Sequence, residues 1–230
     1  MKTNINIFFT VMLLAVFSVP AYAGFGDLTK SVPGMGGADK SESGKGASVS
    51  AEQQQEEIVK SFVSAYQDIF AAQSLLLKAF GMEDKAASHD ADAGEISGKS
   101  LGKEEVKKAL ALSDAATKAI QAEIEKGAEL SADGKKYYQA SLKPMGMGTY
   151  KLVKFGPQAS KWLSSAKNDI KAAGMMGATK MKKKLDIGLF IAKESPSVIK
   201  AFSTNLNSVV TYGKAQGLDT SDANSDKGMD

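Results

Sequence analysis

Apolar residues recur at helical spacing along most of this chain, and the longest such stretch runs from Ala51 to Phe80. Spacings of three and four residues there form one broad apolar face, which is typical of an amphipathic helix and includes Val59, Phe62, Tyr66, Ile69, Leu76 and Phe80. Ser50 and Gln53 have the spacing of a capping box, which predicts the helix start. Gly81 predicts its end.

The same spacing predicts four more helical regions. A second helix is predicted from Lys103 to about Glu125. A third region starts near Lys135, and we expect two or three shorter, kinked helices because prolines and glycines interrupt it at Pro144, Gly146, Gly148, Gly156 and Pro157. A fourth helix is predicted at about residues 178–193. A fifth opens at Ser195-Pro196, which reads as an N-cap and first-turn proline, and ends near Gly217.

Residues 82–102 show little periodicity and carry five acids against two lysines, so we predict a long acidic loop there. No convincing alternating pattern of the kind that marks strands is present. The sequence therefore predicts an all-α fold, an elongated bundle of about five helices over residues 51–218, with a flexible N-terminal leader and a C-terminal tail.

The N-terminal residues have the pattern of a secretory signal peptide, predicted to cover residues 1–23. Lys2 precedes an apolar run from Ile7 to Val19, and Ala21-Tyr22-Ala23 supplies small residues before cleavage at Gly24. An uncleaved membrane anchor is the alternative, but a transmembrane helix needs about 20 apolar residues and this run is shorter. We expect an exported protein, periplasmic or secreted. Residues 24–50 are predicted to form a Gly/Ser-rich leader, and residues 219–230 a disordered acidic tail.

Composition removes several chemistries. The chain has no cysteine and one histidine, and all of its 29 cationic residues are lysine. Disulfides, thiolate catalysis and cysteine-ligated metals are excluded, and the missing arginine removes bidentate phosphate recognition. His89 lies among carboxylates that could bind a divalent ion, although a solvated acidic loop is the favoured interpretation. We predict no cofactor and no catalytic or metal-binding residue.

Charge is unevenly distributed, because residues 135–200 hold fourteen lysines against three acids, a balance of +11. Such a block suggests an anionic partner, and a solvated lysine face is the alternative. Possible contacts with an anionic membrane surface are Lys180, Lys182, Lys183 and Lys184, unless this segment is the basic first turn of a core helix. Nucleic acid is a poor fit without arginine or interleaved aromatic residues.

Methionines are frequent in the same half of the chain. They suggest a possible hydrophobic junction that could open, formed by Met145, Met147, Met175, Met176 and Met181. Simple gap-filling at helix junctions is the alternative, and Cu(I) binding is less favoured because no histidine lies nearby in the sequence.

These features predict an exported, non-enzymatic helical binding protein that engages an envelope component, a hydrophobic ligand or a partner protein. The alternative is a membrane-active helical protein that inserts into anionic bilayers or lies on them. A hydrolase with an unrecognised site is less favoured, because no nucleophile–base arrangement stands out.

Overall fold

The computed structural model describes residues 50–97 and 101–224 and confirms the all-α class. Six α-helices form a bundle in this part of the chain, and it contains no strand. Their bounds are α1 Ala51–Ala79, α2 Glu83–Ser97, α3 Lys103–Glu125, α4 Ala132–Ala172, α5 Gly174–Lys184 and α6 Asp186–Ala215. The predicted signal peptide and all but the last residue of the predicted leader lie outside the described residues.

Helices α1 and α3, which correspond to the first and second predicted helices, begin and end almost where the sequence predicts. The Ser50 hydroxyl accepts a hydrogen bond from the Gln53 backbone N–H, and the Gln53 side chain accepts one from the Ser50 N–H at 3.1 Å. This reciprocal pair is the predicted capping box. Gly81 has a φ of 70°, the left-handed conformation that glycine adopts at helix ends.

Helix α4 packs antiparallel to both α1 and α6. The Trp162 Nε1–H, near the end of α4, donates to the carbonyl of Ala51 at the start of α1 at 2.8 Å. Tyr138, near the start of α4, donates its hydroxyl to the carbonyl of Val209 near the end of α6 at 2.7 Å. Helices α1 and α6 therefore start at the same end of the bundle, where α4 finishes.

The α1–α4 contact is unusually close because α4 carries glycine where the helices meet. A Cβ on Gly148 would lie 2.7 Å from Ile69 Cγ1 and 3.0 Å from the Ala65 carbonyl oxygen. Only glycine leaves room for this approach. The buried apolar residues beside it form the main core, whose larger members include Phe62, Tyr66, Leu152, Phe155, Trp162, Ile191 and Phe202.

The prediction of a loop over residues 82–102 is wrong for most of its length, because α2 occupies Glu83–Ser97. Ala86 and His89 are buried, and Ala93 and Ile96 pack partly against the core. These four residues follow helical spacing, but two alanines and a histidine contribute little hydrophobicity, so the pattern is weak in the sequence.

The predicted breaks in the third region are also absent, because α4 runs through Pro144 and Pro157 as one helix of 41 residues. Each proline removes one helix hydrogen bond and costs about 3 kcal/mol in a helix interior. Burial against α1 and α6 along the whole length of α4 offsets that cost, since Leu142, Phe155 and Trp162 are each at most 2% exposed.

The predicted fourth helix is divided differently. Its lysine-rich first part belongs to α5, which ends at Lys184, and its apolar second part begins α6. Ser195-Pro196 does not start a helix but lies inside α6. The Ser195 hydroxyl donates to the Ile191 carbonyl at 2.6 Å, a bond within the helix in place of the predicted cap.

Part of the predicted tail is packed against the bundle. Residues Ser221–Ala223 form a short 3₁₀ helix, and Thr220 and Ala223 are buried. The Ala223 backbone approaches Gly146 of α4 so closely that no side chain would fit there. The remainder of the predicted tail, residues 225–230, lies outside the described residues.

Candidate functional site

Most of the candidate residues lie at one end of the bundle, where α1 and α6 start, α4 finishes and α5 follows. We call this end the basic end. The Ala51 N–H donates to Asp169 Oδ2 at 3.0 Å, which joins the start of α1 to the end of α4. The Gln55 side-chain amide donates to the Lys184 carbonyl at 3.0 Å, which joins α1 to the end of α5. The first bond fixes α4 to α1, and the second fixes the end of α5 to the same part of α1.

Helix α5 forms because Gly174 turns the chain out of α4. Gly174 has a φ of 66°, a conformation that ends α4 and lets the chain change direction. No residue of α5 is fully buried. Ala178 and Met181 pack partly against the main core, and they define the inner side of the helix.

The opposite side of α5 faces solvent, and we call it the outer face. Helical geometry at 100° per residue places Met176, Lys180 and Lys183 on this side, with Met175 at its edge. The two methionine side chains are 96% and 92% exposed, far more than methionine usually is. No acidic residue lies in α5, so the outer face combines apolar and cationic groups with no anion in the same helix.

The four predicted contact lysines therefore differ in their surroundings. Lys180 and Lys183 lie on the outer face and are exposed. Lys184 is paired with Glu52 of α1 at 2.9 Å, which offsets its charge. Lys182 lies at the rim of a neighbouring groove.

That groove, which we call the basic groove, is an open cavity of about 410 Å³ between α3, α4, α5 and α6. Its apolar lining consists of Ile170, Leu189 and Phe190. Its charged rim consists of Lys103, Lys167, Lys182, Lys193 and Asp186. Four cations and one anion thus surround a small apolar floor.

Lys103 is the most constrained of the rim cations. Its ammonium Nζ lies 3.3 Å from Asp186 Oδ1 and 5.7 Å from the centre of the Phe190 ring. Both contacts reduce its availability to another anion. The other three rim lysines have no ion pair among the described residues.

The structure does not gather the five methionines at one junction. Met145 is fully buried in α4, whereas Met175 and Met176 are exposed on α5. The part of α4 that follows Met145 contains 27 residues, which separates the two groups by about 40 Å along the helix. Met147 is half-buried two residues further along α4, so Met145 and Met147 share α4 whereas Met175, Met176 and Met181 share α5.

His89 lies in a buried hydrogen-bond network rather than in a mobile loop. Its Nε2–H donates to Gln73 Oε1 at 3.2 Å, and the Gln73 amide donates to the Ser113 hydroxyl at 2.8 Å and to Thr117 Oγ1 at 2.9 Å. Burial lowers the pKa of His89, and the nearby Asp90 carboxylate only partly offsets this effect.

This network is structural, because it joins α1, α2 and α3 through buried hydrogen bonds. Gln73 lies between Ser113 and His89, and no hydrogen bond joins those two side chains within the described residues. A nucleophile–base pair requires that direct contact. His89 and Ser113 are only 3% and 2% exposed, so a substrate would not reach them in this conformation.

Neither a family model, nor a curated protein, nor a solved structure matches this chain. Within the described residues, no three histidine or carboxylate side chains are grouped closely enough to share a metal ion. None of the described helices combines the length and apolar character that crossing a bilayer requires.

Proposed function

We propose that this protein is an exported, non-enzymatic binding protein that attaches to an anionic surface of the cell envelope through the basic end of its bundle. The observation that carries the proposal is the outer face of α5. It presents two almost fully exposed methionines beside lysines on a helix without any acid. A membrane with anionic head groups is the surface that this combination fits best.

Each part of the outer face has a role in this attachment. A lysine close to an anionic membrane contributes about 1 kcal/mol. Methionine side chains enter the boundary between head groups and acyl chains, where their apolar surface is removed from water. A helix of 11 residues is about 16 Å long, so α5 would lie along the surface.

Surface attachment is better supported than insertion into the bilayer. The strongly apolar stretch Ile187–Ile191 belongs to α6, where Gly188 and Ile191 are buried against the rest of the bundle. Insertion would require this stretch to leave the core and lose its packing. Attachment through α5 requires no change in the bundle.

Co-sedimentation with lipid vesicles tests this proposal. We expect the purified protein to bind vesicles containing phosphatidylglycerol, to bind neutral phosphatidylcholine vesicles weakly, and to be released by high salt. Equal binding to both vesicle types, or to neither, would refute it. A dye enclosed in the vesicles separates the two modes, because attachment leaves the dye inside and insertion releases it.

The export part of the proposal has its own test. Expression of the full sequence in a secreting host should yield a protein that starts at Gly24, as N-terminal sequencing would show. Recovery of an intact chain from the cytoplasm would contradict this part and leave the lipid assay unaffected.

A further inference from the structure

The basic groove lies beside the outer face of α5 but is a separate feature with a different shape. It is concave, and its volume of about 410 Å³ falls within the range of small-ligand sites. Four helices contribute to it, so its walls depend on the folded bundle rather than on one flexible segment. The outer face, by contrast, is a convex surface of one helix.

The lining separates apolar and charged contacts. Ile170 is 9% exposed at the base of the groove, and Leu189 and Phe190 are half-buried beside it. Each side chain therefore leaves some apolar surface open to the groove. A ligand that covered this surface would gain free energy in proportion to the area removed from water.

The rim determines the charge that such a ligand would carry. Asp186 and Lys103 pair with each other, which leaves Lys167, Lys182 and Lys193 as a net positive rim. Because these three lysines lie on α4, α5 and α6, they surround the apolar floor from different sides. The rim lysines would repel the head group of a cationic amphiphile, whereas they would attract an anionic head group from several directions.

We propose that the basic groove binds a single-chain anionic amphiphile, with its acyl chain on the apolar floor and its anionic group among the rim lysines. The inference deepens the proposed function, since both features belong to the basic end. A protein attached to an anionic membrane would meet such molecules at high local concentration. The open shape of the groove lets one chain enter without unfolding any helix.

Calorimetric titration of the purified protein with decanoate, below its micelle-forming concentration, tests this proposal. We expect saturable binding of one decanoate per chain. Octanoate, two methylenes shorter, should bind roughly 15-fold more weakly, because each buried methylene changes affinity about fourfold. Decyltrimethylammonium has the same chain length with a positive charge, and it should not bind.

Two matched double variants locate the site. Lys167→Gln with Lys193→Gln removes two rim charges and should weaken decanoate binding roughly two- to thirtyfold. Lys135→Gln with Lys143→Gln removes the same charge from exposed positions in the first part of α4, and it should leave the affinity unchanged. All four positions are solvent-exposed, so the folded bundle should tolerate each change.

A decanoate analogue with a nitroxide at its chain end gives a direct readout. Methyl signals of Ile170 and Leu189 should broaden in nuclear magnetic resonance spectra when this analogue binds. The proposal is overturned if decanoate shows no saturable binding, if the cationic amphiphile binds equally well, or if broadening occurs away from the groove. If vesicles bind but decanoate does not, only this inference fails. If decanoate binds but vesicles do not, only the proposed function fails.

Discussion

Removing two charges from the outer face of α5 should separate specific attachment from general basicity. Lys180→Gln and Lys183→Gln together leave the helix exposed and its methionines in place. Neither lysine has an ion pair among the described residues, so each would contribute its full attraction to the surface. At about 1 kcal/mol for each lysine, the double variant should lose about 2 kcal/mol, or roughly 30-fold in vesicle affinity.

The assay is titration of the protein with phosphatidylglycerol vesicles at two salt concentrations. The double variant should bind more weakly at low salt, and the difference from the unmodified protein should shrink at high salt, where both charges are screened. Lys184→Gln alone should have a smaller effect than either outer-face change, since Glu52 already offsets the Lys184 charge at 2.9 Å.

The control is again the double variant Lys135→Gln with Lys143→Gln, which changes net charge by the same amount. The interpretation fails if this control weakens binding as much as the outer-face variant does. That result would mean that the +11 block attracts the membrane as a diffuse charge, with no special part for α5.

Three further predictions concern the apolar contacts, the buried histidine and the helix packing. Met175→Ser with Met176→Ser should weaken vesicle binding while leaving its salt dependence unchanged, because only apolar contact is lost. Burial lowers the pKa of His89 below its ordinary value of about 6.5, so the unfolded chain takes up a proton before the folded one does. The contribution of His89 to the free energy of unfolding is therefore fully present above about pH 6.5 and declines as pH falls below it. Urea unfolding at pH 7.5 and at pH 5.5 should show a smaller loss of stability for His89→Gln than for the unmodified protein. Gly148→Ala should cost roughly 1–3 kcal/mol in urea unfolding, because its Cβ would meet an α1 side chain at 2.7 Å. Gly94→Ala, with nothing within 4 Å of its Cβ, should instead stabilise by about 0.5–1 kcal/mol.

The parts of the fold that the sequence predicts well are those with strong local signals. α1 and α3 combine a periodic apolar face with clear boundary residues, such as Ser50 at one start and Gly81 at one end. The missed helix α2 lacks such a face, because its inward positions hold alanines and His89. Its place is set by the Gln73 hydrogen bond and by packing on α1, which are tertiary contacts that the sequence pattern does not display.

The prolines of α4 show the opposite error. Pro144 and Pro157 are reliable local signals for a break, yet contacts along two neighbouring helices outweigh them. The sequence shows that the lysines of α5 are clustered, but it does not show their different surroundings. Only the folded chain shows that Lys184 meets Glu52 and that Lys182 borders a groove built from four helices.

The most direct measurement of the central claim places a spin label on the outer face of α5. The chain has no cysteine, so Met176→Cys creates a single attachment point, and Val153→Cys, 47% exposed on α4, serves as the reference position. On addition of phosphatidylglycerol vesicles, the label at 176 should lose contact with a water-soluble relaxation agent while the label at 153 keeps it. Vesicle binding that protects the label at 153, or that leaves the label at 176 in water, would contradict attachment through α5.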